Sequence, residues 1–202
     1  EYNSCRYHIS QISSANSVDI IKERKNKVNF SCGVSINNLS LNENDIGDFK
    51  TFLKLSPPLR TETDRNALVQ GLNDETIDVI VSDHKPEDEE NKRLTFAQAE
   101  TGASGIETLL PLSLELYHNG SAELETIIKA LTSKPAEILK INKGNLSIGN
   151  DADFCIVDIN KPWVVKKEKL ISKSKNTPIE DKKLQGKVIS TFVNGEELFK
   201  SE

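Results

Sequence analysis

Ile77-Asp78-Val79-Ile80-Val81-Ser82-Asp83-His84 is the stretch on which the fold turns. Its nearly continuous β-branched run suits a strand buried on both faces, as in a parallel sheet. The run ends on Asp83. An ionised carboxylate there is costly unless it meets a cation or hydrogen-bond donors. Asp83 therefore reads either as a site residue or as a cap for the loop that follows.

Working back toward the N-terminus, strands and helices alternate. Thr61-Glu-Thr-Asp64 resembles a capping box and opens a helix to about Leu72, with Leu68 and Leu72 on one face. Residues 36–60 read as a long loop ending in Ser56-Pro-Pro-Leu-Arg60, and loops of that length are usually functional. Before it, Val28 to Ser35 reads as a strand. Residues 15–26 read as a helix capped by Ser13 or Ser14 and anchored by Val18, Ile20 and Ile21. Residues 5–10 read as a first short strand. Strand, helix, strand, helix, strand implies βαβ units with right-handed crossovers, hence an α/β fold.

Working forward, the chain reads as helical to about residue 140. A helix over 105–118 is interrupted by Pro111 and stopped by Asn119-Gly120, and one over 122–132 carries Leu124, Ile127, Ile128 and Leu131 at helical spacing. Ser133-Lys-Pro135 then restarts a short helix. After residue 144 the character changes. Strand-like runs 152–157 and 188–193, the second followed by Asn194-Gly195, predict a β unit with a tight hairpin. The expected division is an α/β portion over 1–143 and a small β segment over 144–202.

The bulk properties exclude several classes. The 202 residues are 36% hydrophobic and 28% charged, with a net charge of −5, which is ordinary globular composition. An acidic balance without a basic stripe argues against nucleic acid as a partner. The lysine-rich stretch 166–183 also carries Glu168, Glu180 and Asp181 and reads as a solvated loop. No run is long and apolar enough to suggest a membrane span. Cys5, Cys32 and Cys155 are odd in number and widely spaced, which reads as buried reduced thiols in a cytoplasmic protein. The chain lacks methionine and enters strand-like sequence at once, so we expect a piece of a longer protein.

If the parallel strands belong to a barrel, the chemistry lies at their C-terminal ends. That selects Gln11, Asn37-Asn38 and Asp83-His84. Each histidine also has a plain reading: His8 in the core, His84 packed on a helix, and His118 at a helix end where a cation suits the dipole. The acidic run 87–90 reads as a loop beside the site. Gly144, Gly149 and Gly195 read as turn glycines.

At this point the chain resembles dihydroorotase, a cyclic-amide hydrolase of the amidohydrolase superfamily. The resemblance rests on ordered signatures: Tyr7-His-Ile-Ser-Gln-Ile-Ser-Ser14, Ser56-Pro-Pro-Leu-Arg60 with Asp64-Arg65, Gly71-Leu-Asn-Asp-Glu-Thr-Ile-Asp78 and Ser82-Asp-His-Lys-Pro86. Gly105-Ile-Glu-Thr-Leu-Leu-Pro111, Lys134-Pro-Ala136, Ala152-Asp153 and Ser174-Lys-Asn-Thr-Pro178 continue it. It implies the C-terminal part, about strands 6–8, of a (β/α)8 barrel, plus C-terminal segments of a small β domain.

The resemblance also implies a zinc enzyme of pyrimidine biosynthesis that interconverts dihydroorotate and N-carbamoyl-aspartate. Zinc would make a neutral-pH hydroxide, and Asp83 would be both metal ligand and proton carrier. Ser56, Thr101 and Gly102 fall at substrate-binding positions. Most metal ligands would lie on the missing strands, so the fragment alone is expected to be inactive and to bind no zinc tightly.

Several positions depart from the family. Gln11 replaces a ligand histidine, Ile36-Asn37-Asn38 replaces Pro-His-His, Ser56 replaces an asparagine, and Glu87 replaces a histidine that contacts the substrate carboxylate. These departures keep open a second reading, a non-catalytic subunit that assembles with aspartate carbamoyltransferase. In either reading, self-association through the open strand edges is expected.

Overall fold

Strand β1 (Tyr7–Ile12), helix α1 (Ala15–Arg24), strand β2 (Phe30–Ser35), helix α3 (Glu62–Asn73) and strand β3 (Val79–Val81) form the expected βαβαβ order. A short helix α2 (Ile36–Ser40) follows β2 directly. The computed structural model describes residues 5–25 and 27–201. Asn26, expected at the end of the first helix, lies outside them; α1 closes at Arg24, with Ser14 as its N-cap accepting from the Ser17 N–H.

The sheet order is β1-β2-β3, and both pairings are parallel. Gly33 opposes Val79 and Ser35 opposes Val81. The β1–β2 register shifts between Ile9 and Ile12, around Ser10 and Gln11. Such irregularities re-aim side chains at strand ends. Strand β3 is shorter than the apolar run suggested. On the approach to β3 the Asp78 N–H donates to the Cys32 carbonyl at 3.0 Å, while its carboxylate accepts from the Cys32 N–H at 2.8 Å and pairs with Lys25 at 2.9 Å.

The loop expected over 36–60 is not structureless. Besides α2, it carries 3-10 turns at Glu43–Ile46 and Thr51–Leu53. Sequence pattern hides α2 because Ile-Asn-Asn-Leu-Ser has little helix propensity. The Ser35 hydroxyl caps it through the Asn37 N–H, and Ile36 to Leu39 are all buried. Arg60 donates to Ser13 Oγ at 2.8 Å, and Asp64 accepts from the Ala15 N–H at 2.8 Å. The far end of the loop is thereby fastened to the start of α1.

Beyond β3 come α4 (Glu89–Lys92), α5 (Leu109–His118), α6 (Leu124–Leu131) and α7 (Ser133–Leu139). Pro111 does not interrupt a helix. It is the third residue of α5, in the first turn, where the missing N–H has no intrahelical partner to lose. The expected start near residue 105 is delayed to Leu109 because residues 103–106 are tied to β3's exit.

The tail forms a second sheet of order β4-β5-β6, from Phe154–Val164, Lys183–Val193 and Glu196–Lys200, all antiparallel. Asn194 and Gly195 take positive φ of 51° and 82°, as a tight two-residue hairpin requires. The first half of β5 lies on α5. Leu184 joins the main apolar cluster with Leu112 and Leu116, and a Cβ at Gly186 would stand 2.4 Å from Leu114. The rest of this sheet leaves apolar side chains uncovered, Ile156, Leu198 and Phe199 among them.

The connection between β4 and β5 is not the solvated loop its charges suggested. Leu170, Asn176, Thr177 and Ile179 are buried. The cysteine expectation holds for Cys32 alone, since Cys5 and Cys155 are exposed. His8, on the edge strand, is exposed rather than in the core.

Candidate functional site

Because β1, β2 and β3 run parallel, their C-terminal ends share one side of the sheet. Gln11, the Asn37-Asn38 pair and Asp83 therefore issue from neighbouring strand ends. Gln11 and Asp83 meet directly: the Gln11 Nε2 donates to Asp83 Oδ1 at 2.9 Å. Asp83 adopts a positive φ of 49°, a region that aspartate tolerates better than most residues. Burial raises its carboxyl above the ordinary aspartate range, while the Gln11 hydrogen bond and the Lys85 charge pull it partly back.

Asn37 and Asn38 are buried in α2. Asn38 donates to the Pro58 carbonyl at 3.0 Å, whereas Asn37 Nδ2, Asn38 Oδ1 and Ser40 Oγ have no protein partner. Buried polar atoms normally find one. This side of the sheet thus keeps spare donors and an acceptor next to α2.

The chain leaving β3 lies against residues 102–106. His84 bridges to Ala103 in parallel sense, and the Lys85 N–H donates to the Ala103 carbonyl at 2.9 Å. His84, expected to pack on a helix, is held by backbone just ahead of α5. Its Nδ1 accepts the backbone N–H groups of Gly105 at 3.1 Å and Ile106 at 3.3 Å, which fixes the tautomer with the proton on Nε2. The close approach demands glycine: a Cβ at Gly105 would stand 2.5 Å from the Ser82 carbonyl, and one at Gly102 2.5 Å from the Lys85 carbonyl.

Thr101 and Gly102 are thereby brought beside the Asp83 turn. Lys85 Nζ donates to Thr101 Oγ1 at 3.2 Å and lies 3.5 Å from Glu87. The backbone of Gly102 is engaged internally on both sides. Its N–H donates to the Lys54 carbonyl at 2.9 Å, and its carbonyl accepts from Asn176 Nδ2 at 3.1 Å. Ser56 stands exposed two residues beyond Lys54, at a cis peptide bond to Pro57.

Two buried polar residues hold this region together. Lys92 is 2% exposed, and its ammonium donates to the carbonyls of Glu100 at 2.7 Å, Thr51 at 3.2 Å and Lys54 at 3.5 Å. Burial lowers its pKa to about 8. Asn176, also 2% exposed, reaches in from the second sheet's connection. Nothing in the run Glu89-Glu-Asn-Lys-Arg93 marks Lys92 as buried, whereas Asn176 lay inside a signature already visible in the sequence.

The described residues do not by themselves make a metal centre: no three His, Cys, Asp or Glu among them converge, and Asp83 faces an amide. A cavity of about 570 Å³ lies elsewhere, between α5 and the β4–β5 ribbon, and is lined by Glu115, His118 and Trp163. No helix among the described residues is long and apolar enough to cross a membrane.

Comparison with known proteins places these features. A family model described as the amidohydrolase family matches residues 2–198. The chain is 44% identical over 190 residues to the dihydroorotase of Ehrlichia canis, covering 94% of this chain and 42% of that one. It is 39% identical over 203 residues to the dihydroorotase of Anaplasma phagocytophilum, covering 100% and 45%. Among solved structures, the L-hydantoinase (dihydropyrimidinase) of Arthrobacter aurescens superposes with a TM-score of 0.92 at 26% identity, over 98% of this chain and 45% of that one. The dihydropyrimidinase of Brevibacillus agri gives 0.89 at 23% identity, over 98% and 45%, a likeness of fold. The chain spans less than half the length of each of these proteins.

Proposed function

The chain belongs to the amidohydrolase family, and from that premise we propose that it is the C-terminal part of a dihydroorotase-type hydrolase, which interconverts dihydroorotate and N-carbamoyl-aspartate in pyrimidine synthesis. The observation that carries this reading is the meeting of Asp83 and Gln11, across β2, at the C-terminal ends of two strands of one parallel sheet, the place where barrel enzymes put their chemistry. In this reading β1, β2 and β3 are strands 6–8 of a (β/α)8 barrel over residues 1–143. Residues 144–202 belong to a small β domain.

Asp83 is the catalytic carboxylate and, among the described residues, the one that keeps a metal-ligand position of the family. In this role it takes a proton and returns it to the leaving nitrogen. Ser56, Thr101 and Gly102 face the substrate. The zinc ligands come from the remainder of the polypeptide, since catalytic zinc needs about three protein ligands. The protein works in the cytoplasm on a small molecule, without nucleic acid or membrane.

One observation favours the second reading. The hydrogen bond from Gln11 engages an oxygen that a metal ligand would need, as expected of a non-catalytic subunit that assembles with aspartate carbamoyltransferase. A single assay separates the two. Joined to the rest of its polypeptide and supplied with zinc, the protein should hydrolyse dihydroorotate, and Asp83→Asn should abolish the reaction. An inactive protein that binds aspartate carbamoyltransferase would establish the scaffold instead.

A further inference from the structure

We propose that Asn176 is a positioning residue, whose side-chain amide fixes Gly102 and the Lys85–Glu87 turn around Asp83, so that the connection between β4 and β5 sets the shape of the candidate site. The inference rests on the reading of Asp83 as the site carboxylate.

The geometry is specific. Asn176 Nδ2 donates to the Gly102 carbonyl at 3.1 Å, while its Oδ1 accepts from the Glu87 N–H at 3.4 Å. A donor on one side and a carbonyl on the other settle which end of the amide is oxygen. Ser104 Oγ lies 3.1 Å from the same Oδ1 and 3.0 Å from the Ser174 carbonyl, and the Ser104 N–H donates to the Asn176 carbonyl at 3.2 Å. Ser174 Oγ sits between Asn176 Oδ1 and the Glu87 carbonyl, the latter at 2.5 Å. One buried amide thus bonds backbone on both flanks of the Asp83 turn, from 74 residues away at Gly102 and 89 at Glu87.

These bonds have no competitor in water, because the side chain is 2% exposed. Other anchors remain on both flanks, among them the Gly102 N–H on the Lys54 carbonyl, the Lys85 N–H on the Ala103 carbonyl and Ser174 Oγ on the Glu87 carbonyl. Losing the amide leaves the backbone at Gly102 and Glu87 with one attachment fewer on each side. The fold around α1, α3 and the strands is not touched.

The test uses the 202-residue chain and, in parallel, the chain joined to the rest of its polypeptide. In Asn176→Ala, amide exchange at Lys85, Gly102 and Ser104 should quicken by about tenfold or more, while Val34 and Ile80 stay within about twofold. Uniform acceleration, or none, overturns the proposal. Asn176→Asp supplies a rescue that only a direct bond gives. Its ionised form cannot donate to the Gly102 carbonyl, its protonated form can, and the Gly102 carbonyl shift should return toward the wild-type value on acidification. A shift indifferent to pH overturns it.

In the complete protein, Asn176→Ala should raise KM for the cyclic amide by about tenfold with kcat changed far less, the mark of lost substrate positioning. An unchanged KM in a folded variant refutes the proposal. Should the wild-type protein hydrolyse no cyclic amide, the proposed function fails, and the exchange and carbonyl measurements alone decide the role of Asn176.

Discussion

Gln11 and Asp83, 72 residues apart in sequence, meet at 2.9 Å where two parallel strands of one sheet end. An amide faces a half-buried carboxylate. The consequence for stability has a definite sign. An aspartate whose folded pKa lies above its unfolded value, here 3.8, binds its proton more tightly when folded. Ionisation therefore costs stability as pH rises through that range, and the cost is fully present at neutral pH. Asp83→Asn keeps the acceptor for Gln11 and tolerates the positive φ. Its melting temperature should exceed that of the parent by about 2 °C at pH 7, with the gain vanishing as pH falls below the unfolded value. Calorimetry across pH checks it, and a gain independent of pH would contradict it.

Lys92 gives the opposite slope. Its folded pKa of about 8 lies below the ordinary 10.5, so the unfolded chain holds the extra proton between those values. Stability contributed at this position therefore rises with pH across that window. Lys92→Met removes the partner of the Glu100 carbonyl, while the Thr51 and Lys54 carbonyls keep backbone donors. The loss should be about 1–3 kcal/mol near neutrality. The gap between parent and variant should widen from pH 8 toward 10 in denaturant titrations.

Cys32 should be the silent thiol. Burial, then the neighbouring Asp78 charge, pushes its pKa up to about 11. Only about one molecule in a thousand carries the reactive thiolate there at pH 8. Iodoacetamide at that pH should label Cys5 and Cys155 and spare Cys32 until denaturant is added. Mass spectrometry of the digested protein reads this directly, and prompt labelling of Cys32 would refute its placement.

Gly102 tolerates no side chain. Its φ of 136° is foreign to L-residues, and a Cβ would meet the Lys85 carbonyl at 2.5 Å. Gly102→Ala should cost roughly 2–4 kcal/mol, or else displace the Asp83 turn. Thermal unfolding together with the Lys85 amide resonance distinguishes the two outcomes.

The edges of the first sheet should drive association. Among the described residues β1 and β3 each pair only with β2, and Tyr7 on β1 is 60% exposed. Parallel strands with unpaired edges invite further pairing. Light scattering should show mass above the monomer that grows with concentration, and Tyr7→Lys should lower it. A monomer at every concentration would remove this expectation.

The parallel sheet was legible because Val79, Ile80 and Val81 carry a β-branched run that only a doubly covered strand explains. The tail hairpin was legible because Asn194-Gly195 supplies the two positive φ values its turn needs. Asp83 was legible by its position at a strand end. What stayed hidden depends on long-range partners. Helix α2 exists through burial and the Ser35 cap, against the propensity of its asparagines. Lys92 and Asn176 are polar residues whose burial depends on carbonyls and amides up to 89 residues distant. Local pattern carries no record of such meetings.

Both sheets place their strands side by side in the order in which the chain supplies them. During synthesis, each strand would emerge next to the one it pairs with, so neither sheet must hold a gap open for a later arrival. The β1-β2-β3 layer can close on α1 and α3 while residues beyond 150 are still unmade. Asn176 comes late in that sequence of events, after both flanks of the Asp83 turn have left the ribosome. A chain halted before it would have its sheet yet lack the pin that shapes the turn, which makes the last quarter of the polypeptide a finishing step rather than a foundation.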